Sequence, residues 1–130
     1  MATVARKINI ANWFEIPVND LERAMKFYEK VFDVTLTSES MGDLGMKMAM
    51  FPFTPEAPGA PGALVEAESY TPSHEGSVVY FSVESIEETL RRINAYGGLT
   101  VLPKTGIGNY GFIAHFEDTE GNRLALHSMS

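Results

Sequence analysis

The sequence predicts an α+β fold: two βαβββ units forming a cleft between curved mixed sheets, with the helices on the outer faces. Three observations predict it. Strand-period and helix-period segments follow one another in the same order twice along 130 residues. Shifting the first strand and helix by 65 positions brings Val18 onto Val83, Leu21 onto Ile86 and Met25 onto Leu90. The last strands of the halves, "ALVEAE" and "NRLALH", align with a shift of 59, and the proline-rich "PFTPEAPGAPG" absorbs the difference of six. The units span roughly 8–68 and 77–128 of a single domain, because neither could bury its sheet alone.

The elements follow in order. "INIANWFEIPV" (8–18) is β-branched, aromatic and nearly continuous in apolarity, which predicts a strand covered on both faces. "NDLERAMKFYEKVF" puts Leu21, Ala24, Met25, Tyr28, Val31 and Phe32 on one helical face, with Asn19 or Asp20 to cap a free N–H. "VTLTSE" and "GMKMAMF" are strands around the turn "MGDLG", and Met46, Met48 and Met50 share one face, read as core. "PFTPEAPGAPG" cannot donate ladder bonds and is a loop, before the short strand "ALVEAE".

"SVVYFSV" opens the second unit as a strand. "SIEETLRRINAYGG" is a helix with Ile86, Leu90, Ile93 and Tyr96 on one face. Ser85 and Glu88 have capping-box spacing, and Gly97-Gly98 can end it in the left-handed region. "LTVLP", "GFIAHFED" and "NRLALHS" are strands, the last two joined by the turn "DTEG". Counting back through that turn places His115 opposite Leu124, on the helix-covered face.

Composition excludes several functions. The apolar share of 45% suits a packed core, and no apolar run approaches the length of a membrane span. "MATVARKINIANW" lacks the apolar stretch of a signal peptide, so a cytoplasmic location is expected. With no cysteine, disulfides, thiolate nucleophiles and cysteine-bound zinc are excluded. A net charge of −7 without a basic stripe disfavours nucleic acid.

"WFEIPVNDLERAMKFYEKVF", "VVYFSVESIEETLRRINAYGG" and "FIAHFEDTEGNRLALHS" together resemble the vicinal oxygen chelate superfamily, which holds glyoxalase I, extradiol dioxygenases and the fosfomycin- and bleomycin-resistance proteins. The "DxEGN" turn and the "DLxRAxxFYxxVF" helix carry the resemblance most specifically, over residues 8 to 128. It implies a homodimer, with a cleft formed within one chain or between swapped chains. It also implies a divalent metal held by first and fourth strands. The corresponding positions here are Trp13, Val78, Glu66 and Ala125, of which only Glu66 offers a suitable donor. The usual metal set is therefore not retained.

Two residues further along each strand stand Glu15, Glu68, Tyr80 and His127. Strand alternation puts them on the faces of the lost ligands. They can hold zinc, manganese or iron(II) in a displaced site, or form a metal-free network in which Glu15 fixes the His127 tautomer. Glu15, His127 and Tyr80 are the candidate catalytic groups, because a carboxylate, an imidazole and a phenol can share proton transfer. Trp13, Tyr80 and Phe112 are read as an aromatic cleft wall. Glu66 and Glu68 add polar lining, and Lys104, in the glycine-rich "PKTGIGNYG", can meet an anionic ligand. The resulting expectation is a binding protein for a small organic molecule. The alternative is a glyoxalase-like lyase, isomerase or dioxygenase.

Overall fold

The structure is a computed structural model that describes residues 8–42 and 45–130. Strand β1 (Phe14–Pro17) leads to helix α1 (Leu21–Phe32) and then to β2 (Thr37–Met41), β3 (Met46–Met50) and β4 (Gly62–Glu66). The second unit repeats the order with β5 (Tyr80–Ser82), α2 (Ile86–Ala95), β6 (Leu99–Gly106), β7 (Phe112–Glu117) and β8 (Arg123–Ser128). Each unit makes one four-stranded mixed sheet, ordered β1-β4-β3-β2 and β5-β8-β7-β6. Within the "MGDLG" turn, Asp43 and Leu44 lie outside the described residues, as do residues 1–7.

Both helices start as their sequences predict. The Asp20 carboxylate accepts from the Arg23 N–H at 3.1 Å, and the Ser85 hydroxyl accepts from the Glu88 N–H at 3.1 Å. Gly97 follows α2 with φ +104°, a conformation that a side chain would strain. Several strand bounds differ from expectation: β2 is shifted to Thr37–Met41, β4 ends at Glu66, and β5 shrinks to Tyr80–Ser82. Residues 8–13 form no strand, and Ile8 and Ile10 are exposed, so apolarity there overstated the first strand. Strand β6 runs through Pro103, and its register with β7 shifts between Leu102 and Thr105. A bulge on an edge strand is where proline is tolerated.

One core serves both units. Ile16 and Leu64 of the first sheet, Phe27 and Val31 of α1, and Phe116, Leu124 and Leu126 of the second sheet belong to a single buried cluster. Phe81 joins it from β5, 4.7 Å from Phe32 and 6.1 Å from Phe14, centroid to centroid. Each such ring or branched chain contributes about 1.5–3 kcal/mol by leaving water. The helices thus cover one face of each sheet and leave the other face open. On the open face of the first sheet, Met48, Ala63 and Val65 form a second cluster with Met46, Met50 and Tyr70.

The turn between β7 and β8 locks the units together. Asp118 accepts from the backbone N–H groups of Glu120 and Asn122 and from the Tyr28 hydroxyl at 2.7 Å. The Asn122 amide donates to the Pro17 carbonyl at 2.7 Å. Glu120 receives the N–H groups of Asn19 and Asp20 and the Arg23 guanidinium, whose nearest contact is 2.7 Å. The "DxEGN" motif is therefore a buried tie from the second unit to β1 and the start of α1.

Candidate functional site

Side-chain parity decides which residues share the open faces. In β1, Phe14 and Ile16 enter the common core, leaving Glu15 on the open face. In β5 the core residue is Phe81, leaving Tyr80 and Ser82 outside. In β8 Leu124 and Leu126 are core, so Arg123, Ala125 and His127 lie on the opposite face, with Ala125 buried between its neighbours.

Each named group has a partner. Glu15 accepts from the Tyr70 hydroxyl at 2.6 Å and from the Trp13 indole N–H at 3.2 Å. The bond to Glu15, ahead of burial, raises the Tyr70 pKa. Tyr80 Oη lies 3.2 Å from His115 Nε2. Burial, and then the positive charge of Arg123, lower the His115 pKa. A neutral His115 with its proton on Nδ1 accepts from the Tyr80 hydroxyl. His127 Nε2 lies 2.6 Å from the Tyr110 carbonyl, which it meets as a donor. The expected Glu15–His127 pair is therefore not assembled, since each group is bonded elsewhere.

Several expected positions change face. Glu66 accepts from the Leu21 N–H at 2.9 Å and sits 3.7 Å from Lys47 Nζ, so it caps α1 on the helix side. Glu68 is exposed in the turn after β4. Phe112 packs against the common core, and Lys104 lies 4.5 Å above its ring while bonding Glu87 of α2. His115 pairs with Ala125, not Leu124, and so stands on the open face beside Tyr80.

The cause is an odd slip in each unit. Strand partners are 48 positions apart in β1–β4 (Phe14 with Gly62) but 45 apart in β5–β8 (Tyr80 with Ala125). The fourth strands therefore align three positions away from the sequence alignment. An odd offset turns every side chain to the opposite face. Likewise the β7–β8 turn includes Asn122, because Glu117 pairs with Arg123. Asn122 fits there because its N–H and side chain both bond Asp118.

The metal positions implied by the resemblance fail on donor chemistry. Trp13, Val78 and Ala125 offer no lone pair for a divalent ion, and Glu66 faces the helix side. Among the described residues, no group of three or more His, Asp or Glu side chains is gathered to hold a metal.

What the units do build together is an aromatic hollow. It has a volume near 490 Å³ and lies where the free edges of β1 and β5 approach. Trp13, Phe14, Phe32 and Phe51 line it from the first unit, and Tyr80 and Phe81 from the second. Gly62 makes room for Phe14, since a Cβ there would stand 2.4 Å from the ring. Of these lining residues the sequence names Trp13 and Tyr80 as cleft candidates, whereas the spacing of Phe14, Phe32, Phe51 and Phe81 reads as core, and they pack against the core as well. Tyr70 and His115 were missed as partners, one because it is in a loop and the other through the slipped register.

Two mixed four-stranded sheets, each from a βαβββ unit with one helix, define the class of the paired-unit oxygen chelate fold. The chain belongs to the glyoxalase/bleomycin resistance protein/dioxygenase superfamily, whose family model matches residues 10–126. It is 28% identical over 114 residues to a glyoxylase-like domain-containing protein of Didymella fabae, covering 86% of this chain and 88% of that protein. A glyoxylase/bleomycin resistance protein/dioxygenase domain from Frankia sp. EAN1pec shares the fold at TM-score 0.72 and 19% identity, over 94% of this chain and 98% of that one. The antibiotic binding protein TnmS3 from Streptomyces sp. CB03234 matches at TM-score 0.67 and 20% identity, over 97% and 100%. Glyoxalase I from Zea mays matches at TM-score 0.65 and 20% identity, over 90% of this chain but 45% of the maize chain. The chain thus spans less than half the length of that enzyme.

Proposed function

We propose that this protein binds a small organic molecule with a planar aromatic part in the hollow between its two units, without transforming it. One observation carries the reading: Trp13 and Tyr80, from different units, line the same aromatic hollow. Its volume falls within the range of small-molecule sites, about 300–1,000 Å³. Aromatic walls offer stacked and edge contacts to a planar guest. The lack of an assembled Glu15–His127 pair favours binding over proton-transfer chemistry. The likeness to an antibiotic binding protein is consistent with this role.

Trp13 is the sole tryptophan, so its emission reports on the hollow. A titration with neutral 2-naphthol should give a saturable quench, and Tyr80→Ala should weaken it by about tenfold, the loss of one stacking partner. A linear, unsaturated response, or one indifferent to Tyr80→Ala, would reject the site.

The reading includes a cytoplasmic homodimer. Sedimentation should give twice the chain mass. A monomer in the parent chain would refute pairing.

A further inference from the structure

We propose that Arg123 is the centre of a second subsite, in a separate hollow lined by both units, that takes the carboxylate of a small hydroxy or amino acid. The hollow there has a volume near 210 Å³. Glu15 and Pro17 line it from the first unit, Ser77 and Arg123 from the second, and Thr71 and Glu75 from the loop between them.

Arg123 is the unexplained group of the molecule. It is half-buried on the open face of β8, and it enters no ion pair among the described residues. Its Nε is buried without a hydrogen-bond partner. Such an atom ordinarily finds an acceptor, because an unmet donor loses its hydration for nothing in return. Two neighbouring carboxylates that could answer it are engaged elsewhere, and Glu75, which shares the hollow, makes no ion pair among the described residues. Glu117, directly across the ladder, bonds His74 at 2.7 Å. Both oxygens of Glu15 are held by Tyr70 and Trp13.

The backbone holds the side chain's base in place. Arg123 N–H donates to the Ser73 carbonyl at 3.2 Å, and the adjacent Asn122 is tied to Asp118 and Pro17. A guanidinium fork matches the two oxygens of a carboxylate. The hydroxyls of Thr71 and Ser77 line the same hollow with no side-chain hydrogen bond among the described residues. Glu15 and Glu75 sit on the wall as well, so the site presents one cation and two carboxylates. That net negative balance opposes anions, a dianion such as phosphate most, so a ligand's carboxylate has to meet Arg123 directly. The site accommodates a monocarboxylate whose hydroxyl or ammonium group donates to a glutamate. The charge of Arg123 is also felt at His115 on the neighbouring strand, where, after burial, it lowers the imidazole pKa.

The test follows the Arg123 Nε–H resonance of nitrogen-15-labelled protein during titration with sodium glycolate at constant ionic strength. The expected result is a saturable shift at Arg123 that the exposed Arg91 does not share, with affinity lowered by at least about tenfold in Arg123→Gln. No saturable shift, equal shifts at all arginines, saturation by phosphate but not glycolate, or undiminished binding by Arg123→Gln would each overturn it. The parent chain alone suffices for the first three outcomes if the variant fails to fold. Glycolate is read at Arg123 and 2-naphthol at Trp13, so this inference and the aromatic site fail separately.

Discussion

Glu15 holds its two neighbours in place. Tyr70 and Trp13 each donate to one of its oxygens, so its carboxylate fixes the indole at the mouth of the aromatic hollow. It is a positioning residue, and its charge in an otherwise apolar strand is met by those two donors. Glu15→Ala should shift the Trp13 emission to the red and weaken 2-naphthol by about three- to tenfold, an ordinary cost for a loosened aromatic contact. Unchanged emission in the variant would show that the indole is held by other means. At this scale the sequence was partly legible. An acidic residue between Phe14 and Ile16 announces an open face, because alternation sends its neighbours to the core. Its partner could not be read, since Tyr70 reaches it from a loop 55 positions away.

Among the elements, the turn at 118–122 carries the most weight. Burial pushes the Asp118 pKa up against its several hydrogen bonds. For Glu120, burial also pushes upward, but the Arg23 bond and the N–H groups of Asp20 and Asn19 outweigh it and hold the pKa below the usual range. A carboxylate lowered on folding adds stability above its unfolded value, near 4.3, and loses it as pH falls through the lowered value. Asp118, being raised, acts with the opposite sign. Glu120→Gln should therefore cost about 1–2 kcal/mol at pH 7 and flatten the loss of stability below about pH 4. Tyr28→Phe, which strips one donor from buried Asp118, should cost about 1–2 kcal/mol with the acid profile little changed. Urea unfolding at several pH values checks both, and a Glu120→Gln protein as acid-sensitive as its parent would contradict the assignment. Element order and caps were legible because each rests on local signals, whereas the helix faces were legible in part, since Tyr96 is exposed and Phe27 is core. Register was not, because Asn122 reads equally as the end of a turn or the start of a strand. One residue there decides the face of His115.

For the whole molecule, the repeat explains why a site exists at all. Each unit ends its sheet in a short parallel strand, β1 or β5, and these two free edges approach without joining. The gap is filled from the core side by Phe14, Phe32, Phe51 and Phe81 and flanked by Trp13 and Tyr80. The duplication was visible in the 65-residue shift. The hollow itself was not, since it depends on rings that serve core and pocket at once. Fold and family therefore fix where a guest can sit, and the aromatic lining sets what it can be. The most direct test is a set of intermolecular nuclear Overhauser effects between 2-naphthol and the side chains of the saturated protein. The account predicts contacts from one ligand to the rings of both Trp13 and Tyr80. Contacts confined to Met46, Met48 and Met50 on the open sheet face, or none to either ring, would contradict it.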